Sequence, residues 1–351
     1  METAGAKMRN INPFRAGISM AASWSWGASL GVGVAVMHTM GVEAFIIWSI
    51  TNILAIPFFG MLYTKIDSYK YIIELRPMIF FMFMLQGFAI LINQQLLFEG
   101  LTGGVDFDIA PILAQTPATV LAIALAVALV LFINRTLLRG SLLTDYVQYS
   151  LQLSGVVLLL IVAFYTSNGT INPNVASSAF SDIRWAVWVG LGLIVGPSMD
   201  AMQFQRIEQV APEHQLMSTI YGGITFGVYL SFVGVAALFI QAGSIAVALA
   251  FMIVVLSIST STIDSASAAM HRLATKKVAT AVALGIAFGW PLLMDVGVTG
   301  IWTIYTSGRV FVVSGVLVFL LVLYLTGRNI QSYTGRQEPS ERDKTLQAVG
   351  D

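Results

Sequence analysis

The chain has 351 residues, of which 57% are hydrophobic and only 10% are charged, and its formal net charge is zero. Soluble proteins carry about 25% charged residues, so this composition, with a mean hydropathy of +0.81, excludes an ordinary soluble domain. The absence of cysteine excludes a disulfide framework and a thiolate metal site. We also expect no nucleic-acid partner.

Apolar runs of about 20 residues recur along the chain and predict a polytopic helical membrane protein. We expect residues 1–15 to form a cytoplasmic N-terminus and residues 327–351 a polar cytoplasmic tail. Ten transmembrane helices are predicted between them, over residues 16–40, 42–64, 76–98, 117–134, 143–166, 184–206, 216–241, 244–270, 277–295 and 299–326.

The distribution of lysine and arginine predicts the orientation of these spans. With a cytoplasmic N-terminus, every lysine and arginine lies on the cytoplasmic side except Arg184, which is outside, and Arg309, which lies within a span. Because positive charge concentrates on the cytoplasmic side of membrane proteins, we expect both termini to be cytoplasmic, in a cell membrane.

The ten predicted spans divide into two repeats of five, over residues 16–166 and 184–326. The first span of each repeat is interrupted by small residues or proline: Gly27, Gly31, Gly33, Gly190, Gly192, Gly196 and Pro197. An odd number of spans inverts the second repeat, and broken first helices in both halves are typical of inverted-repeat transporters. The alternative is that these residues reflect only the general frequency of glycine and proline in membrane helices.

Hydroxyl and carboxylate side chains occupy residues 257–272, where an apolar span is expected. On a helix, Ser257, Ser261 and Asp264 share one stripe, with Ser265 beside it. A carboxylate in the membrane costs about 2.5 kcal/mol or more without a partner, and oxygen ligands suit a hard cation. The stretch therefore suggests a cation site, although a face of small residues for helix packing is the alternative.

Three segments resemble the sodium:solute symporter family, of the solute carrier 5 type. Residues 261–265 read STIDS, residues 138–148 read LRGSLLTDYVQ, and residues 205–207 read QRI. The resemblance implies an all-helical core of ten helices with a 5+5 inverted repeat, the LeuT-like fold, in which helices 1 and 6 are discontinuous. It also implies sodium-coupled symport of a small organic solute by alternating access.

The resemblance further implies a sodium site between the first and eighth spans. Its ligands would be the carbonyl oxygens of Ala22, Ser25 and Ile258 and the hydroxyls of Ser261 and Thr262. Neutral oxygens replace part of the sodium hydration shell without holding the ion too tightly.

A second cation, sodium or a proton, is implied between Asp145 and Asp264. Two neighbouring carboxylates favour a bound cation or protonation of one of them. The alternatives for Asp145 are a helix N-cap or an ion pair with Arg139.

Arg309 lies about eight residues into the last span, where a cation requires an acidic partner or an anionic ligand. We expect an ion pair with Asp200 or Asp264, and the alternative is a substrate carboxylate. The other residues that could line a pocket near the middle of the membrane are Trp24, Trp26, Ser29, Met199, Asp200, Gln203, Trp302 and Tyr305.

Two other functions remain open at this point: a transporter-like sensor of solute and a passive sodium-permeable channel or uniporter. No arrangement of nucleophile and base appears in the sequence, so we do not expect an enzyme. The expected partners are the lipid bilayer and a small organic solute, and the oligomeric state is not predicted.

Overall fold

The computed structural model describes residues 11–104, 109–175 and 177–326. Most of the predicted N-terminal segment 1–15 and the whole predicted tail 327–351 lie outside these residues. The described residues contain helices and no strand, as the composition predicts. The α-helices are α1 (Pro13–Trp24), α2 (Gly27–Thr39), α3 (Val42–Lys65), α4 (Arg76–Thr102), α5 (Gln115–Thr166), α6 (Phe180–Ile194), α7 (Ala201–Ile207), α8 (Gln215–Phe239), α9 (Ile245–Leu273), α10 (Lys276–Gly289) and α11 (Gly297–Thr326).

Seven helical segments of the described chain are long and apolar enough to cross a membrane, and the bent pair α1–α2 makes a possible eighth. The predicted spans 117–134 and 143–166 match two of these segments, Gln115–Thr136 and Thr144–Thr166, which both lie within the assigned helix α5. One predicted boundary needs correction. The predicted span 277–295 is helical as α10 only to Gly289, and a 3₁₀ helix, Trp290–Val296, connects it to α11.

Both predicted helix breaks are present. The predicted first span corresponds to α1 and α2, which meet at a bend of 58°. The predicted sixth span corresponds to α6, a short 3₁₀ helix (Gly196–Met199) and α7. Asp200 begins α7 by accepting a hydrogen bond from the amide of Met202 at 2.9 Å, as an N-cap residue does.

Contacts along the helices give their relative directions. Helix α9 runs antiparallel to α4, since Ser259 bonds the carbonyl of Asn93 whereas Gly100 packs on Met252. By the same reasoning from contacts, α10 runs parallel to α4, and the second half of α5 runs antiparallel to α9. Helix α11 runs antiparallel to α4, because Glu99 bonds the amide of Val298 and Phe88 packs on Tyr305.

These directions require two chain reversals. The first half of α5 runs antiparallel to α10, with Asn134 bonded to Thr280 and Thr119 near Met294. Because the second half of α5 runs in the opposite sense, the chain turns back between Thr136 and Ser141. The other reversal lies between α10 and α11, where Gly297 adopts a φ of 71°, a conformation that favours glycine.

The helix ends divide into two sides. One side carries most lysine and arginine residues at helix ends, including Arg76, Arg206, Arg272 and Lys276, and we call it the basic side. On the opposite side lies a cavity of about 1100 Å³, which we call the outer cavity. It is lined by residues at the ends of α2 and α4 and before α11, among them His38, Glu99 and Asp295.

Candidate functional site

The break between α1 and α2 frees two backbone carbonyls. In a continuous helix the amides of Trp26 and Ser29 would bond the carbonyls of Ala22 and Ser25. Instead, the amide of Trp26 donates to the carbonyl of Trp24 at 2.8 Å, and that of Ser29 donates to the carbonyl of Trp26 at 2.6 Å. The two carbonyls predicted to bind sodium thus lose their regular helical partners.

Helix α9 faces this break. At one end, Ser19 of α1 and Ser265 of α9 both contact the guanidinium of Arg206, at 3.1 and 2.8 Å. At the other end, Gly27 and Ser259 are joined through Asn93: the Gly27 amide donates to its side chain at 2.9 Å, and the Ser259 hydroxyl donates to its carbonyl at 3.2 Å. Residues 22–25 therefore lie at the level of residues 260–263 of α9.

The hydroxyls of α9 differ in how they are satisfied. The side chains of Ser261 and Thr262 are fully buried and have no hydrogen-bond partner among the described residues. In contrast, Thr260 and Ser267 return hydrogen bonds to helix carbonyls at 2.8 and 2.7 Å, as expected for residues that serve packing. The packing alternative therefore accounts for Thr260 and Ser267 but leaves the two predicted sodium ligands unexplained.

Ile258 is fully buried on the same helix, one turn before Thr262. Together, Ala22, Ser25, Ile258, Ser261 and Thr262 form what we call the hydroxyl site. All of its oxygens are neutral, and the two freed carbonyls lie at the same level of the fold as the two unpaired hydroxyls. Such a set suits sodium better than a divalent cation, which usually requires carboxylates.

Asp145 and Asp264 belong to one buried polar network but have different partners. Asp145 forms an ion pair with Arg206 at 2.9 Å and also accepts a hydrogen bond from Ser19. Asp145 lies within helical residues of α5, so the alternative role as an N-cap is not supported. The side chain of Arg139, the other predicted partner, lies outside the described residues.

Asp264 is held by neutral donors. It accepts hydrogen bonds at 2.8–3.3 Å. The donors are Ser141, Thr144, Gln148 and Ser265. No lysine or arginine nitrogen of the described residues lies within 4.0 Å of Asp264. We call Asp145, Arg206, Asp264 and their hydroxyl partners the aspartate network. The charges of Asp145 and Arg206 cancel, so the network carries one negative charge when Asp264 is ionised.

Arg309 is 1% exposed and is surrounded by aromatic rings. Its guanidinium carbon lies 4.1 Å from the ring centre of Tyr305 and 5.2 Å from those of Trp24 and Trp26. Trp302 packs on Trp26 and Tyr305 at ring distances of 6.1 and 5.2 Å. We call these four rings the aromatic cage.

The ion pair predicted for Arg309 is not formed. No carboxylate oxygen of the described residues lies within 4.0 Å of its nitrogens. Asp264 instead accepts hydrogen bonds from Thr144 and Gln148 of α5 and from its own helix neighbour, Ser265. Asp200 is near enough to interact electrostatically with Arg309, but its side chain bonds Gln86 at 3.1 Å and caps α7.

The remaining predicted pocket residues are divided between the two breaks. Gln203 bonds the hydroxyl of Ser23 at 3.0 Å, which joins α7 to the end of α1. Ser29 and Met199 are buried, but no hydrogen bond or ring contact links their side chains to the cage in the described part of the chain.

Sequence reasoning missed several partners. Ser19 is an isolated serine in a span and carries no distinctive pattern. Ser141 and Gln148 lie within the run 138–148 that resembles the symporter family, but the sequence assigns them no role. Asn93, which bridges α2 and α9, lies in the polar run 93–95 within an otherwise apolar span, and that run was an available signal.

No protein family model matches the chain, and no curated protein matches its sequence. Its fold is similar to solved structures, including the substrate-bound, outward-open state of a Na⁺-coupled sialic acid symporter with a novel Na⁺ site. The two share 16% sequence identity with a TM-score of 0.58, over 87% of this chain and 78% of that chain. At this identity the similarity concerns the fold.

Proposed function

We propose that this protein is a secondary transporter that couples the inward movement of sodium to uptake of a small organic solute. The fold similarity to a Na⁺-coupled symporter supports this proposal. The observation that carries it is the pair of unpartnered, fully buried hydroxyls of Ser261 and Thr262, at the level of the break in the first span. Burying two unpaired hydroxyls costs about 1–3 kcal/mol each, which a bound ion would offset.

Ten membrane spans in an inverted 5+5 arrangement are part of the proposal. The alternating directions of the packed helices support this count, with α5 contributing two spans and α1–α2 and α6–α7 one broken span each. The concentration of lysine and arginine on one side supports cytoplasmic termini.

The aspartate network is the second cation site in this proposal. Its surplus negative charge, buried with Asp264, favours either a second sodium ion or a proton. The ion pair between Asp145 and Arg206 supplies neutral surroundings, so that Asp264 alone attracts the cation.

Transport would proceed by alternating access, in which α1–α2, α3, α6–α7 and α8 rock against the remaining helices. On the basic side, the Arg206–Asp145 pair joins α7 to α5, and the Arg272–Glu208 pair joins α9 to the end of α7 at 2.8 Å. On the opposite side lies the outer cavity. This asymmetry corresponds to a conformation closed toward the cytoplasm, and opening toward the cytoplasm would require both pairs to separate. Sodium drives the cycle only if it binds one conformation more tightly than the other.

The sodium site can be tested without knowing the solute. Sodium titration of the purified protein, followed by tryptophan fluorescence, uses Trp24 and Trp26 beside the site as reporters. We expect Ser261→Ala with Thr262→Ala to raise the half-maximal sodium concentration about tenfold or more, since two ligands are lost. Thr260→Ala and Ser267→Ala are matched controls, because these hydroxyls are already bonded to their own helix.

Transport itself requires proteoliposomes with imposed sodium, potassium or proton gradients. Accumulation of solute under the sodium gradient supports symport, and accumulation that does not depend on the sodium gradient contradicts it. Sodium flux without any solute would favour the channel or uniporter, and solute binding without accumulation would favour the sensor. An unchanged sodium titration in the double alanine variant would remove the two residues from the site.

A further inference from the structure

Arg309 is a buried cation whose hydrogen-bonding capacity is unused. Its three guanidinium nitrogens have no hydrogen-bond partner among the described residues, although the side chain is 1% exposed. A guanidinium carries five N–H donors, and leaving buried donors unpaired is costly. The described part of the chain therefore provides no acceptor for these donors, and a bound ligand would have to supply one.

The geometry of the cage selects the shape of that acceptor. Rings pack over the guanidinium of Arg309 at 4.1–5.2 Å and stabilise its charge, but ring faces do not bond the N–H groups in its plane. The free planar fork matches a carboxylate, which binds guanidinium through two parallel hydrogen bonds. The surrounding rings also provide apolar walls for the body of a small solute.

The guanidinium lies at the break of the sixth span. A Cβ atom added to Gly196 would lie 2.5 Å from Nη1 of Arg309 and 2.6 Å from the ring of Trp24. The lack of a side chain at Gly196 therefore lets Arg309 and Trp24 meet the broken backbone directly. Both span breaks and the cage thus converge on one place in the fold.

Other polar atoms of the cage are also donors without partners. The indole nitrogens of Trp24 and Trp302 and the hydroxyl of Tyr305 are buried and unpaired within the described residues. Three such donors beside a free guanidinium favour a ligand rich in acceptors. The nearest acidic group, Asp200, has one free oxygen, which could accept from a hydroxyl or amino group of the same ligand.

The charges of the site favour an anion over a neutral or cationic solute. Arg309 and Asp200 together are neutral, and the second cation proposed above balances Asp264. One sodium ion at the hydroxyl site therefore adds a positive charge to the buried core. Binding of one monocarboxylate with that sodium leaves the site neutral, which lowers the cost of burying both.

We propose that the transported solute is a small monocarboxylate whose carboxylate binds the guanidinium of Arg309 within the aromatic cage. The inference rests on the transport function proposed above and specifies the substrate class of that function. Sulfonates and phosphonates are anions of different shape, and the carboxylate assignment predicts that they bind more weakly.

Matched acids and amides test the assignment. The probes are benzoate with benzamide, nicotinate with nicotinamide and lactate with lactamide, each added to purified full-length protein in sodium buffer. Binding is measured by tryptophan fluorescence and by the shift in thermal unfolding temperature. The variant is Arg309→Gln with Asp200→Asn. It removes the guanidinium of Arg309 and keeps the site neutral, because one positive and one negative charge are lost together. Arg184→Gln is the control, since Arg184 is an exposed arginine outside the cage.

We expect at least one acid to bind the wild-type protein and the Arg184→Gln variant. Its amide should bind more weakly, as should benzenesulfonate, added as the sulfonate that matches benzoate. The double variant should lose about 10- to 100-fold in affinity. The assignment is overturned if the amides bind as well as the acids. It is also overturned if no acid binds, or if the double variant binds an acid within about twofold of wild type.

Proteoliposome uptake separates this inference from the transport function. Sodium-driven accumulation of amides, or of acids by the double variant, would refute the role of Arg309 and leave sodium-coupled transport intact. If neither acids nor amides accumulate while the acids still bind through Arg309, the transport function fails and the binding site stands.

Discussion

Asp145 and Asp264 share one buried network, yet we expect their asparagine variants to differ strongly in stability. Asp145→Asn removes the partner of Arg206, which is 1% exposed and would be left as an uncompensated buried cation. Breaking a buried ion pair in this way costs about 3–5 kcal/mol. Asp264→Asn removes a charge that has no ion pair in the described chain, so we expect a loss of about 2 kcal/mol or less.

The contacts of each aspartate explain the difference. Asp145 is fully buried, and one of its oxygens accepts hydrogen bonds from Nε and Nη2 of Arg206 and from the hydroxyl of Ser19. Because the site is buried, solvent cannot replace these bonds. Asp264 would lose hydrogen bonds from Thr144 and Gln148 to one oxygen. Asparagine relieves the desolvation of an unpaired charge at the same time, and this gain offsets much of that loss.

Thermal or denaturant unfolding in detergent measures these changes. A sodium-free choline buffer is needed, because an ion bound only to the folded state adds to its stability. Asp145→Leu combined with Arg206→Met removes both charges and should recover most of the loss seen for Asp145→Asn. The reasoning is refuted if Asp264→Asn destabilises as much as Asp145→Asn, or if the double apolar variant is no more stable than Asp145→Asn.

Two further predictions concern the break of the sixth span and the outer cavity. Gly196→Ala would force Trp24 and Arg309 away from the break, so it should weaken solute binding about tenfold or more. An unchanged solute affinity would contradict the close approach of these two side chains to Gly196. Because the chain has no cysteine, single cysteines report exposure directly. Asp295→Cys, at the outer cavity, should react with an impermeant thiol reagent from outside intact cells, and Lys276→Cys, on the basic side, only after permeabilisation; the reverse pattern would invert the proposed orientation.

The sequence was sufficient for the helical class and for both helix breaks, between α1 and α2 and between α6 and α7. Apolar runs of spanning length leave helices as the main option, because backbone groups in lipid must be bonded within the segment. Glycine and proline at the start of each half weaken the helix where α1 and α6 end. The sequence also separated the two spans within α5, because charged and small residues at 135–141 mark the division between Gln115–Thr136 and Thr144–Thr166.

The pairing of charges depended on tertiary structure. Two aspartates, two arginines and a set of hydroxyls could be assigned to the membrane from their positions in the sequence, but several pairings had the same plausibility. The fold brings Arg206 onto Asp145 and surrounds Asp264 with neutral donors, which leaves Arg309 among aromatic rings. Sequence determines which residue types enter the membrane through their local pattern. Which of them meet depends on the register of helices that are far apart in the chain, such as those of Ser19 and Arg206, which are separated by 187 residues. Only the packed structure sets that register.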